Sequence, residues 1–263
     1  MTVLGFAILL VVLAASFVLG HTIGKMRPRT ATALSVGCAF LIVVKAFFHH
    51  YPDVEFSTIP YAWYAHIQPW WPSFFALMLF GLGIARAGKR REKFGLGLLS
   101  AVLFLSLLYT GWARVQSGAD RFMSLPNRNG VVLQTTKFSC GAAASATLLT
   151  RLGMPASERE MAELSGTNYV TGTDEIAAAL GLRRKLDGTD QEVKMIRADW
   201  QDLRNLNRPA MANMRLSFLQ DHWVVVLEIT PESVKIADPS SGIRSLTHSR
   251  FLDQWLGVLV FVE

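Results

Sequence analysis

The sequence predicts an α+β domain, helices first and an antiparallel sheet after, behind an N-terminal bundle of about four membrane-spanning helices. Three observations carry that prediction. Hydrophobic residues make up 51% of the 263-residue chain, and the mean hydropathy is +0.30. Charge is split unevenly: residues 1–113 hold nine Lys/Arg against three Asp/Glu, whereas residues 114–263 hold seventeen of each. The second half changes character, to short capped helices followed by β-branched runs.

The net charge of +6 therefore belongs to the apolar half. A nucleic-acid partner would need a basic patch on the soluble part, so none is expected. Charges placed this way suit a membrane orientation signal.

Residues 3–19 form an apolar run of about the length that spans a bilayer. No basic residue precedes it and no small-residue cleavage site follows, so it is expected to be retained and not removed as a signal peptide. Residues 32–48 form a second span, with Lys45 near its end, where a long side chain snorkels to the interface. Residues 70–85 reach spanning length only with Trp70 and Trp71 in the interface, and residues 95–113 form the fourth span.

Lys25, Arg27 and Arg29 lie in the first connection, and Arg86, Lys89, Arg90, Arg91 and Lys93 in the third. The second connection, residues 49–72, has no Lys or Arg and is dense in Tyr and Trp. The positive-inside rule then puts the first and third connections in the cytoplasm. Both termini are expected outside, on a multi-pass protein of a bacterial cytoplasmic membrane.

Residues 114–130 read as a linker, ending in the turn-rich Pro126-Asn127-Arg128-Asn129-Gly130. The domain of residues 131–263 opens with a short strand at 131–133. A helix follows at 140–152, with Gly153 at its C-cap. The next helix, 157–164, begins with Ser157 and Glu160 as a capping box. A helix at 174–180 is expected to be capped by Thr173 and closed by Gly181. Residues 190–196 fit strand or helix. A helix at 198–205 and a strand at 209–214 come next. Strands at 223–229 and 234–237 form a hairpin, and a helix at 249–255 and a strand at 256–262 close the chain.

Chemistry-bearing residues are spaced along this domain. Cys140 stands where a polar turn becomes an Ala/Leu-rich helix, and a helix N-terminus stabilises a thiolate. His222 would supply an imidazolium and protonate a leaving group. Asp238 would bind the other ring nitrogen and fix the tautomer. The Gln134 side chain, with the backbone N–H of Cys140, would donate to a developing oxyanion. Gly141 is expected to let a substrate backbone approach. Each residue alone has an ordinary structural explanation. Their order, on helix start, strand start and hairpin exit, makes the better reading a papain-like cysteine hydrolase, a thiol protease.

Cys38 lies in the second apolar segment, so no disulfide with Cys140 is expected. No Cys/His cluster has zinc spacing, and no phosphate-loop or dinucleotide glycine motif occurs. No metal or cofactor is therefore expected. His49, His50, Asp53, Glu55 and His66 read as an interface loop, and His248 as a solvated turn residue.

The stretches QTTKFSCGAA and DHWVVVLEITPESVKIADPSSG resemble the C39 family of cysteine peptidases, over residues 131–262. That family cuts double-glycine leader peptides from bacteriocin precursors and is often fused to ABC exporters. Its Gln, nucleophilic Cys and following Ala fall on Gln134, Cys140 and Ala143, and its His and Asp-Pro pair on His222 and Asp238-Pro239. Residues 167–181 also resemble the family's Gly-Thr segment. The resemblance implies a peptide or precursor-protein substrate, a lipid bilayer, and a separate exporter or membrane complex as candidate partners. Three positions depart from it. Ser139 stands where the leader peptidases carry an acid, Thr147 where they carry Met, and Leu152 where they carry an aromatic. The resemblance associates these positions with the leader-peptide groove, so they leave the substrate class open. A non-catalytic peptide-binding module, and an amidase or acyltransferase using the same residues, stay open as alternatives.

Overall fold

The structure, a computed structural model of the whole chain, describes residues 2–59, 70–116, 121–217 and 220–263. Its contacts divide the chain into two units, Met1–Tyr51 with Thr58–Val115, and Pro52–Ser57 with Gln116–Glu263.

The first unit is helical. It holds α1 (Val3–Gly24), α2 (Pro28–His50), α4 (Trp71–Arg86) and most of α5 (Arg90–Gln116). Among the described residues, α1, α2 and α5 are long and apolar enough to cross a membrane. These helices mark the chain as membrane-associated. The expected third span is shorter: α4 has 16 residues, about 24 Å at 1.5 Å per residue against roughly 30 Å of hydrocarbon. The connection before it contains α3 (Pro52–Thr58), which the aromatic-rich pattern does not announce. Residues 60–69, including His66, lie outside the described residues.

Small residues bring α4 against α1. A Cβ on Gly20 would strike the Met78 carbonyl oxygen, and one on Gly81 the Phe17 carbonyl oxygen. A Cβ on Gly24 would lie 2.6 Å from Ala85 Cβ. Gly20/Gly24 and Gly81/Ala85 are thus paired small-xxx-small motifs, which let backbones touch in an apolar solvent. The two helices run in the same direction, since Gly20 meets Met78 and Gly24 meets Leu82 and Ala85. Arg86 Nε, at the end of α4, donates to the Gly24 carbonyl at 3.2 Å. Opposite that end, Gly111 of α5 meets the Phe6 ring of α1.

The second unit is the α+β domain. Three helices come first: α6 (Cys140–Arg151), α7 (Glu158–Ser165) and α8 (Glu175–Lys185). Then follow β1 (Val193–Arg197), α9 (Trp200–Leu206), β2 (Ala210–Ser217), β3 (Gln220–Ile229), β4 (Ser233–Asp238), β5 (Gly242–Thr247), α10 (His248–Gln254) and β6 (Trp255–Val262). The six strands form one antiparallel sheet in the order β1-β6-β2-β3-β4-β5. Helix α6 packs on β2, β3 and β4 and is buried from Gly141 to Leu149. A core of Met214, Val224, Val226, Ile236, Leu246, Leu259 and Phe251 joins the sheet to α10. In the same unit, the Arg183 guanidinium lies 4.3 Å from the Phe56 ring centroid.

Several local expectations are corrected. Residues 131–133 form only an isolated bridge, Pro126 to Val132. Ser157 caps α7 through Glu160 N, but the Glu160 side chain binds Lys185 at 2.5 Å and does not complete a box. Helix α8 is capped by Asp174, not Thr173, and runs through Gly181 to Lys185. Gly181 is there for packing, because a Cβ would lie 2.8 Å from Ser165 Cβ. Strand β5 was hidden in the polar stretch after Asp238. His248 is not simply solvated: its Nε2 pairs with the Thr230 carbonyl at 2.9 Å and its ring lies 4.9 Å from Trp200.

Gly81→Leu should cost the detergent-solubilised protein about 1–3 kcal/mol, since the added side chain must push two backbones apart. Gly37→Leu, where nothing lies within 4 Å of an added Cβ, should leave the thermal midpoint near wild type. Equal midpoints for both variants would refute the close-contact account.

Candidate active site

Cys140 is the first residue of α6, and the turn before it is held by its own hydroxyls. Ser139 Oγ accepts from Thr136 Oγ1 at 2.8 Å and from Thr136 N at 3.2 Å, and donates to the Thr136 carbonyl at 3.2 Å. Ser139 is the N-cap residue, yet its side chain makes no cap hydrogen bond to the helix. No side chain therefore covers the first backbone N–H groups of α6 from the N-cap, and such groups favour negative charge.

His222 lies near the start of β3, opposite Met214 of β2; the strand begins at Gln220, three residues ahead of the expected 223. Asp238 ends β4. Val225 pairs with Ala237, so strand alternation puts Asp238 on the face shared by Val224 and His222. His222 Nε2 lies 2.8 Å from Asp238 Oδ1, and both residues are buried, at 8% and 4% exposure. The Asp-Pro-Ser turn then wraps the carboxylate. Oδ1 also accepts from Ser240 N at 2.8 Å and Ser240 Oγ at 2.7 Å, while Oδ2 accepts from Arg244 Nη1 at 3.1 Å.

Burial works to lower the His222 pKa. Hydrogen bonds to Asp238 and to Cys140, with the charges of both, outweigh it and raise the pKa to about 9. The ring is thus paired with Asp238 and lies close to Cys140, and both neighbours favour its charged form. Since Nε2 is taken by Asp238, Nδ1 is the nitrogen left for the thiol. For Asp238, burial works upward, and the hydrogen bonds from His222 and Ser240 reverse it to hold the carboxyl well below the usual range.

Gln134 joins the same site. Its backbone N–H donates to the Pro239 carbonyl at 2.8 Å, next to Asp238. Its side-chain Nε2 donates to the Thr136 carbonyl at 2.9 Å, which leaves one amide hydrogen unspent. Its Oε1 is buried without a partner.

Gly141 does not serve as expected. Its missing Cβ makes room for Thr173, whose Cβ would lie 2.6 Å away. Ser139 and Thr147 are also internal, at 0% and 1% exposure. Thr147 Oγ1 accepts from Val132 N at 2.9 Å, so it steadies the approach to Gln134. Neither lines an open groove. Cys38 and Cys140 are both free.

Residues that sequence reasoning missed include Ser240 and Arg244 around Asp238, Glu158 beside Gln134, and Thr173 against Gly141. Asp-x-Ser is a recognisable side-chain-to-backbone turn, so Ser240 had a signal. The other three are united only by the tertiary fold.

The fold thus brings Cys140, at the start of α6, together with His222, whose ring a buried carboxylate orients. The sequence profile of the Peptidase C39 family matches residues 128–263, and the chain belongs to that family. An uncharacterized protein of Methanothermobacter marburgensis is 32% identical over 133 residues, covering 51% of this chain and 87% of that protein. The lactococcin-G-processing and transport ATP-binding protein LagD of Lactococcus lactis is 28% identical over 134 residues. That match covers 50% of this chain but only 18% of LagD. The crystal structure of the peptidase domain of Streptococcus ComA, a bifunctional ABC transporter involved in a quorum-sensing pathway, matches with a TM-score of 0.44. It is 23% identical and covers 54% of this chain and 97% of that domain.

The raised His222 pKa makes the charged ring a source of stability that is fully present below pH 6.5, the ordinary value, and is lost as pH rises through about 9. The depressed Asp238 pKa contributes stability present above about 3.8 and lost as pH falls below it. Chemical denaturation between pH 5 and 10 should therefore show stability falling on the alkaline side. Asp238→Asn should be less stable by about 3–5 kcal/mol at pH 6, because it strands a buried imidazolium, and should flatten that alkaline fall. An unchanged alkaline slope in the variant would count against the pair.

Proposed function

We propose that this chain is a membrane-anchored thiol peptidase, hydrolysing a peptide bond after a small-residue, Gly-Gly-type leader of a precursor protein. The observation that carries the reading is the buried His222–Asp238 pair, 2.8 Å apart, with Cys140 at the start of α6 close enough to act on the His222 ring. Membership of the Peptidase C39 family supports it, as does the similarity to LagD, a protein named for processing lactococcin G.

Residues 1–113 act as the anchor, 114–130 as the connection and 131–263 as the catalytic domain. In the first half-reaction the Cys140 thiolate attacks the scissile carbonyl carbon. The C–O π pair moves onto oxygen, which is met by the Cys140 backbone N–H and the unspent N–H of Gln134. The oxyanion then collapses, the C–N bond breaks, and the leaving amine takes the Nδ1 proton of His222. In the second half-reaction neutral His222 takes a proton from water. The resulting hydroxide attacks the thioester and expels the thiolate, restoring the thiolate–imidazolium pair. Asp238 holds the ring through both half-reactions and is not itself protonated.

The parallel contact of α1 with α4 supports a four-crossing anchor. Two neighbours that run in one direction need a return crossing between them, and α2 supplies its length. With the basic connections inside, the catalytic domain faces out of the cytoplasm. The partners are then a precursor peptide, the bilayer and a separate exporter.

Cys140→Ala should lower cleavage of a precursor peptide with a Gly-Gly leader by at least about a thousandfold, read by mass spectrometry. Processing by that variant at the wild-type rate would overturn the reading. A periplasm-dependent reporter such as alkaline phosphatase, fused after Glu263, should be active; an inactive but stable fusion would put the domain on the other side.

A further inference from the structure

Glu158 is the first residue of α7 and is 0% exposed, yet the chemistry above does not use it. Its carboxylate is occupied on both oxygens. Oε1 accepts from Thr135 N at 2.8 Å. Oε2 accepts from Thr135 Oγ1 at 2.7 Å and from Ser124 N at 3.2 Å. The Glu158 backbone N–H donates in turn to the Ser124 carbonyl at 3.0 Å. Thr135 follows Gln134 directly, and Thr136 accepts the Gln134 side chain. One carboxylate therefore holds the residue between the two that aim the Gln134 amide.

The chain arriving from α5 is drawn into the same clamp. The Thr135 hydroxyl also lies 3.2 Å from the Arg121 carbonyl. Phe122, 1% exposed, packs edge-on to Phe138, two residues before the nucleophile, at 6.0 Å. A short helix start such as that of α7 suits a carboxylate. Three neutral donors on one buried carboxylate are more than that field requires, and all three belong to the loop and linker beside the site.

We propose that Glu158 is a positioning residue of the acyl-transfer site. It fixes the loop of residues 134–136 so that the Gln134 amide meets the developing oxyanion, with linker residues 121–124 as part of the same support. Glu158 touches no reacting atom; it acts through Thr135 on Gln134. The proposal rests on the reading of Gln134 as oxyanion donor and Cys140 as nucleophile.

Two probes on the full chain in detergent separate these roles. Iodoacetamide reports the Cys140 thiolate and needs no oxyanion donor. A peptide aldehyde ending in Gly-Gly forms a hemithioacetal whose oxygen does. Glu158→Ala should weaken the aldehyde about ten- to a hundredfold, the scale of a misplaced catalytic group. Its kcat should fall by a similar factor on a Gly-Gly precursor peptide with KM little changed, and its alkylation rate should stay within about twofold. Glu158→Gln, whose amide oxygen still accepts from Thr135 N, should recover part of the loss. Thr135→Val removes one hydroxyl from an exposed residue and should show a smaller loss of the same kind, even if Glu158→Ala fails to fold. Wild-type aldehyde affinity and kcat in both Thr135→Val and Glu158→Gln would overturn the proposal, as would parallel loss of alkylation and aldehyde binding. Failure of the wild-type protein to bind the aldehyde, or an undiminished affinity in Gln134→Ala, would instead sink the reading on which it rests.

Discussion

The site depends on one buried carboxylate. Asp238 is 4% exposed, and an ionised carboxylate taken from water without partners costs several kcal/mol. Four donors offset that cost: the His222 ring, the Ser240 amide and hydroxyl, and the Arg244 guanidinium. They come from β3, from the turn after β4, and from β5. The ladder Asp238–Gly242 and Val225–Ala237 must both be in register for the set to assemble. The edge strand β5 thus has a chemical role, since it delivers Arg244 to the outer oxygen. Once held, the carboxylate dictates which ring nitrogen is occupied, and with it the charge and aim of the imidazole. The imidazole is therefore placed by sheet register as much as by any one side chain.

The Cys140 half of the site is held to the His222 half by Thr173. Its side chain fills the space left open at Gly141, one residue after Cys140. Its carbonyl accepts from Trp223 Nε1 at 3.0 Å, one residue after His222. Its hydroxyl pairs with Thr167 at 2.7 Å, which pairs with Ser165 at the end of α7. Thr173 is thus a rigid spacer between the segment that carries the thiol and the strand that carries the imidazole. Gly172, at φ 66°, turns the chain so that Thr173 can reach both sides, and its absent side chain clears the Phe138 carbonyl.

Much of this was legible in the sequence where a local signal existed. The Cys140 helix, the Val-rich β3 and the hairpin into Asp238 follow from periodicity and turn chemistry, and they bring the four candidate residues to one end of the sheet. What was not legible depends on contacts between distant segments. Thr173 looked like a helix cap because hydroxyls favour caps, but Asp174 takes that place and frees Thr173 for packing. Gly181 looked like a helix end because glycine favours ends, yet it lies inside α8 where Ser165 comes close. Gly141 looked like a substrate-facing gap and is an internal one. Strand β5 lacks strict alternation because its residues serve the carboxylate and the edge of the sheet. Helix α4 is short for a span, and its glycine-lined contact with α1, together with its packing on α2, accounts for its place in the apolar unit.

The departures from the leader peptidases at Ser139 and Thr147 take on a different meaning once their contacts are known. Both side chains are spent inside the molecule, on Thr136 and on Val132 N, so neither offers surface to a substrate. A serine at 139 can donate and accept within the turn, whereas a carboxylate there could only accept. The serine therefore keeps the turn closed on Thr136. Thr147 acts on the same loop from behind, fixing the segment that enters Gln134. Both changes bear on how Cys140 and Gln134 are held. Any difference in substrate choice must then be sought among exposed side chains, and of the three departures only Leu152, half-buried at the end of α6, still presents surface.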